Sequence, residues 1–201
     1  MTGYAAVVLG AGLGSRFRAA GGEQPSKLVA QTDQGPVVRR VAHAALRSKA
    51  RPVLIVTGHA RAAVEHALSG LDVDFVHNPD FASGMASSVR MGVGAVPNEI
   101  AGAVMLLGDM PLVTTAMVND LVDAAAAAPN ADALVPTFKG QWGNPVVLCR
   151  SLFSRAMMLT ADAGARRLLT SEGVRIVEVP IHDKGVLLDI DLPNDLEDLS
   201  H

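Results

Sequence analysis

Apolar runs of strand length recur along this chain with helical stretches between them, and that alternation limits the fold more than any single residue does. YAAVVLG at residues 4–10 is followed by PVVRRVAHAALRS at 36–48, RPVLIVTG at 51–58, HARAAVEHALSG at 59–70 and VDFVHNP at 73–79. The first run is apolar throughout rather than alternating with polar residues, the pattern of a strand covered on both faces. Strand, helix and strand repeating within about 75 residues require crossover connections, and these predict a largely parallel sheet.

The alternation continues downstream. GMASSVRMGVG at 84–94 reads as a helix and GAVMLLGD at 102–109 as a buried strand, and Thr114 or Thr115 can cap the helix AMVNDLVDAAAAA, with Pro129 marking its end. DALVPTF (132–138), NPVVLCR (144–150), RIVEVP (175–180) and VLLDIDL (186–192) are predicted as further strands, and PNDLEDL (193–199) as a closing helix. No linker, repeat or low-complexity tail divides the chain, so the expectation is one α/β domain over 1–201.

Composition narrows the partners. With 49% hydrophobic and 18% charged residues the chain can bury a core, and a formal charge of -3 gives it no broad basic surface for nucleic acid or an anionic membrane. A single cysteine, Cys149, excludes an internal disulfide framework and any multi-cysteine metal site, and is read as a core residue. The N-terminus has no signal-like pattern and every long apolar run is interrupted, so a soluble, cytoplasmic protein is expected.

The first strand opens into VVLGAGLGSRF, where Gly10, Gly12 and Gly14 let the backbone turn sharply and approach negative oxygens closely. The segment is not a dinucleotide fingerprint, because Phe17 occupies the place of the third glycine in G-x-G-x-x-G, and it is not a P-loop. Arg16 and Lys27 together can neutralise a triphosphate, with FRAAGGEQPS between them as a covering loop. Asp109 follows a buried strand, and Asp189 and Asp191 form a second acidic pair that shares a face if the strand reading extends that far. Carboxylates at strand ends suit magnesium held over phosphates; the bland alternative for each is a capping or solvent-facing role. His59, His66 and His77 do not make a converging zinc set.

In order along the chain, LGAGLGSR, PSK, GDMP, GNP and DIDLPND resemble the motifs of the molybdenum-cofactor nucleotidyltransferase family, within the wider group of nucleoside-triphosphate transferases. HNPDFASGMASSVRMG and GARRLL are similar to its cytidylyltransferase branch, and Ala11 between Gly10 and Gly12 matches the loop of cytosine-using members. Asn144 stands where the family has histidine, Leu192 where it has threonine, and Ser26 interrupts its P-K pair. The resemblance implies a Rossmann-like nucleotidyltransferase fold that transfers CMP from CTP to the molybdenum cofactor, with Mg2+ on Asp109 and Asp191 and pyrophosphate released. It implies a nucleotide site at Leu9, Gly10, Ala11, Gly12, Gly14, Arg16, Lys27, Ser87, Ser88 and Asp109, with Lys27, Arg16, Asp109 and Asp191 as the catalytic set. It places the pterin acceptor at Trp142, Gly143, Asn144 and Arg166. A molybdoenzyme or a cofactor-delivery protein is a further expected partner. GMP transfer, transfer to a sugar or alcohol phosphate, and noncatalytic nucleotide binding are the competing readings, because a phosphate cradle does not identify the acceptor.

Overall fold

The computed structural model describes residues 3–160 and 165–200, the side chains of 165, 166 and 198–200 excepted. In chain order the elements are β1 (Tyr4–Gly10), α1 (Ser15–Ala19), β2 (Gln31–Thr32), β3 (Gly35–Pro36), α2 (Val37–Arg47), β4 (Val53–Thr57), α3 (Arg61–Ala67) and β5 (Asp74–His77). There follow α4 (Met85–Gly94), β6 (Gly102–Leu107), α5 (Thr115–Ala127), β7 (Ala133–Phe138), β8 (Gln141–Trp142), β9 (Val146–Cys149), α6 (Phe153–Ala156), α7 (Ala165–Leu169) and β10 (Ile176–Pro180).

An eight-stranded sheet runs in the order β10-β7-β9-β6-β1-β4-β5, with β8 paired to β7. β1 is parallel to both β4 and β6, β4 to β5, and β7 to β10. β9 runs antiparallel between β6 and β7, and the short β8 is also antiparallel to β7, so the sheet is mostly parallel as the crossovers require, with two reversed strands that the apolar pattern does not distinguish. The chain moves from β1 outward through β4 and β5, then returns to place β6 on the other side of β1. That reversal makes a crevice at the carboxyl ends of β1 and β6, the usual place for a ligand in such sheets.

Helices cover both faces, which accounts for the unbroken apolar β1. Ala6 and Val8 pack toward Val41 and Ala45 of α2 and Val118 and Leu121 of α5, while Ala5 and Val7 pack with Val89 and Val93 of α4 and Phe153 and Ala156 of α6. All four β1 residues are fully buried. Thr114 is the cap of α5, its hydroxyl accepting a hydrogen bond from the Met117 N–H at 3.3 Å.

The segment VLLDIDL departs from its expected strand. Lys184–Leu187 forms a 3-10 turn, nucleated by the Asp183 carboxylate accepting from Gly185 N at 2.7 Å, and the residues after it pair with no strand. The turn lies across the sheet's carboxyl end: Asn144 N donates to Val186 O at 2.8 Å and Ile190 N to Asp109 O at 2.9 Å. Its fit leaves no space for side chains, since a Cβ on Gly143 would meet Val186 O at 2.4 Å. The closing PNDLEDL is helical but wound as a 3-10 helix over Pro193–Ser200. No helix among the described residues is long and apolar enough to cross a membrane.

Candidate active site

β1 delivers the glycine loop and β6 delivers Asp109 to the same crevice. The two strand ends are stitched by Gly108 N donating to Leu9 O at 3.0 Å; a Cβ on Gly108 would come within 2.9 Å of that oxygen, so only glycine permits this approach. Gly14 turns the loop into α1 with φ 59°, the left-handed region that glycine enters without strain. Phe17, the residue that breaks the dinucleotide pattern, is a core anchor: it is buried with Ala30, Val37 and Ile190, tying the loop to the C-terminal segment.

Four charged side chains converge at the mouth of this crevice. Lys27 Nζ lies 2.7 Å from Asp109 Oδ2 and 3.0 Å from Asp191 Oδ1, and Arg16 Nη1 lies 2.7 Å from Asp191 Oδ2. The Lys27 side chain is 15% exposed and that of Asp109 20%, against 78% for Arg16, so the Lys27–Asp109 pair is the sheltered half of the cluster and Arg16 its solvent side. Burial alone would lower the Lys27 ammonium, but the charges and hydrogen bonds of Asp109 and Asp191 prevail and hold it above its ordinary range. The hydrogen bond from Lys27, with support from Arg16, pulls Asp191 below the usual carboxylate range despite partial burial. Asp189 moves the other way: burial first, then the neighbouring charges of Asp109 and Asp191, push it up. Asp191 is pinned through its backbone, because Asp195 Oδ2 accepts from Asp191 N at 2.8 Å and Leu192 N at 2.7 Å.

A cavity of about 300 Å³ opens beside the cluster, and Leu9, Ala11, Gly12, Lys27, Ser88 and Asp109 line it. Gly10 and Arg16 are not among its lining residues: Gly10 packs close to Val56 O, and the exposed Arg16 joins the site through Asp191. Ser87 is engaged internally, donating to Gly84 O at 2.8 Å and accepting from Asn78 Nδ2 at 2.9 Å; the same amide reaches Ser88 Oγ at 3.0 Å. Asn78, buried to 1% exposure, was not singled out in the sequence, where it stands near the end of the strand run VDFVHNP. Phe81, which also lines the cavity, was likewise missed. Arg90 donates to Leu159 O, bracing the backbone after α6.

A second cavity of about 190 Å³ is lined by Trp142, Gly143 and Asn144 together with Met105 and Val135. It shares Leu9, Met85 and Leu107 with the first, so the two meet at a common wall. Trp142 Nε1 donates to Glu178 Oε1 at 2.7 Å, which orients the indole. Arg166 lies in α7, its side chain outside the described residues.

The donor set suits a hard divalent cation. Two carboxylates close enough to share one ammonium match the one or two that Mg2+ takes alongside substrate phosphates. No group of three or more His, Cys, Asp or Glu converges as a self-sufficient metal cage among the described residues, so the remaining ligands would come from substrate and water.

Comparison with known proteins agrees with this geometry. The chain is 26% identical over 195 residues to the molybdenum cofactor cytidylyltransferase of Escherichia coli K12, covering 97% of this chain and 94% of that protein. It is 32% identical over 174 residues to the bifunctional protein GlmU of Caldanaerobacter subterraneus, spanning 86% of this chain but only 32% of that protein's length. Among solved structures it is similar to Rv0371c of Mycobacterium tuberculosis, with a TM-score of 0.81, 26% identity and 98% of each chain covered. Rv0371c has also been solved in complex with manganese, with a TM-score of 0.79, 24% identity and 98% of each chain covered. The family model of the MobA-like NTP transferase domain matches residues 6–179, and the chain belongs to that family of nucleotidyltransferases.

Proposed function

We propose that this protein transfers CMP from CTP to the molybdenum cofactor, forming the cytosine dinucleotide cofactor and pyrophosphate, in a Mg2+-dependent reaction in the cytoplasm. The observation that carries this reading is the pair of cavities sharing the wall Leu9, Met85 and Leu107, with the Lys27–Asp109–Asp191 cluster at the mouth of the first. Similarity over 97% of the chain to a cytidylyltransferase supports the choice of nucleotide and acceptor, and the manganese complex of Rv0371c supports a divalent ion.

The reaction joins two anions, so the chief task is charge compensation. Bound Mg2+ would supply Lewis-acid stabilisation of phosphate oxygens, with Asp109 and Asp191 as its protein ligands. Lys27 and Arg16 exchange their carboxylate partners for the triphosphate and steady the leaving pyrophosphate. The amides of the loop at Ala11 and Gly12 approach the phosphates, and Ser88 offers a hydroxyl on the nucleotide side. Trp142, Asn144 and the backbone at Gly143 hold the planar acceptor, with Arg166 as an additional contact. The acceptor phosphate is already ionised, so no protein nucleophile and no strong base are needed. A molybdoenzyme or delivery protein would exchange the cofactor with this site; nucleic acid and membrane have no part in it.

Pyrophosphate release is the test, with CTP and GTP each crossed against reduced molybdenum cofactor and phosphorylated small acceptors. CTP with the cofactor is expected to exceed GTP by about tenfold or more and to require Mg2+. Turnover of a sugar phosphate with none of the cofactor overturns the acceptor; equal use of GTP overturns the base.

A further inference from the structure

Away from both cavities, one face of α2 carries three basic residues toward an open cleft. Arg40, His43 and Arg47 fall at i, i+3 and i+7, the spacing that stacks side chains on one side of a helix, and all three line a cleft of about 480 Å³. The two arginines carry the charge on this face, and α2 contains no acidic residue beside them. The opposite wall is the segment Pro111–Thr115, leading into the first turn of α5. That helix has no acidic residue in its first turn, and its leading N–H groups have no intrahelical acceptor beyond the Met117 N–H that Thr114 caps. The end of α5 that carries partial positive charge therefore borders the cleft, through Thr114 and Thr115. Thr115 Oγ1 fixes the two helices together by donating to Ala44 O at 3.1 Å.

None of the residues lining this cleft is acidic. The Arg40 side chain is 12% exposed, and its Nη1 is buried without a hydrogen-bond acceptor among the described residues. Its ion-pair partner is Asp33, 54% exposed, whose Oδ1 lies 3.6 Å from Arg40 Nη1, beyond hydrogen-bond distance. The His43 imidazole is held below its ordinary value by burial, with the charges of Arg39 and Arg47 adding to the effect. The lining of the cleft thus carries basic groups and no carboxylate, with Asp33 reaching Arg40 from outside it.

We propose that the cleft between α2 and the N-terminus of α5 is a second anion site, taking a phosphate-type oxyanion, free or at the end of a small ester. Arg47 and His43 meet the oxyanion from one wall, the leading amides of α5 from the other, and Arg40 supplies charge from behind. The proposal is independent of the transferase reading, since no residue lining this cleft lines either of the other cavities.

The test follows the His43 imidazole by NMR while inorganic phosphate, glycerol 3-phosphate or acetate is titrated in at constant ionic strength. Both phosphate probes are expected to shift His43 saturably, tighter binding of the ester identifying an esterified ligand and equal or tighter binding of phosphate a free one. Lys27→Ala should leave these titrations unchanged, separating them from the nucleotide site. Arg47→Gln, at an exposed position, should weaken phosphate at least about fivefold, whereas Asp33→Asn, which removes a competing carboxylate, should tighten it. A non-saturable phosphate response, equal affinity for acetate, or a titration unaltered by Arg47→Gln overturns the site.

Discussion

The two carboxylates that grip Lys27 reach it by opposite structural routes. Asp109 stands two residues beyond β6, a strand paired over six positions with β1 and closed on its other edge by β9, so its place is inherited from the hydrophobic sheet. Asp191 stands on a segment that pairs with no strand among the described residues; Val186 and Ile190 anchor it by burial, but its course is set by polar contacts: Asp195 on two of its amides, the Asp109 carbonyl on Ile190 N, and Val186 O on the Asn144 amide. Apolar burial is collective and non-directional, whereas each of these hydrogen bonds stabilises by roughly 1 kcal/mol and is lost singly. One half of the proposed metal grip is rigid by construction and the other is assembled, so the two halves should answer differently to substitution.

The largest effect is expected at the rigid half. Asp109→Asn keeps the shape of the side chain and its backbone but removes the charge that would hold Mg2+, so Mg2+-dependent turnover should fall by about 10³-fold. The thermal midpoint should stay within a few degrees, because the sheet fixes the position whether or not the charge is present. Full activity in this variant rejects Asp109 as a ligand. Collapse of the fold rejects the view that the sheet alone holds it.

The assembled half breaks at one remove. Asp195→Ala leaves every proposed ligand in place but frees the amides of Asp191 and Leu192. Loss of a supporting partner behind a metal ligand typically weakens metal affinity or activity by about 10- to 100-fold. Mg2+ affinity, read by isothermal titration with CTP present, should weaken within that range, and amide exchange should quicken at 190–192 while β1 and β6 stay protected. Unchanged exchange at those amides would mean that the buried Ile190 and its bond to the Asp109 carbonyl hold the segment without Asp195.

The same contrast explains what could be read from the amino-acid order. Gly108 and Asp109 announce themselves because GAVMLLGD is a continuous apolar run ending in a glycine and a carboxylate, and burial on both faces demands such a run. VLLDIDL has equally apolar residues, yet Val186 and Ile190 are buried by lying across strand ends instead of pairing within the sheet, and the pattern is the same for both. The strand expectation failed there, although Asp191, expected beside Asp109 as a metal ligand, does lie with it on Lys27. That meeting spans 164 positions, so no local window contains it: each partner was legible as a candidate in its own motif, and the resemblance put both in one catalytic set. Ser87 and Ser88 were legible as hydroxyls near a ligand loop, but not the buried Asn78 amide that holds both, since the end of a strand run does not say what its side chain reaches. The reversed direction of β9 was hidden for a similar reason: a strand buried on both faces reads identically in either sense.

The smallest effect tests the balance of charge between the two halves. Asp191 is pulled below its ordinary range, so its ionised form favours folding at neutral pH, and that contribution disappears as acid protonates it. Asp189 is pushed up, so its ionised form opposes folding: the penalty is present at neutral pH and is relieved on acidification, vanishing once pH is below the unfolded value of about 3.9. Asp189→Asn removes only the second contribution. In metal-free protein it should therefore raise the thermal midpoint at pH 7 by roughly 1–3 °C, the scale of one partly screened charge interaction, with the difference fading toward pH 3.5. A lowered midpoint at pH 7 would show that Lys27 serves three carboxylates and that Asp189 belongs to the grip on the same footing as Asp191. A raised one leaves Asp189 as the surplus negative charge that an incoming divalent cation neutralises, which ties the strain in the metal-free cluster to its readiness for Mg2+.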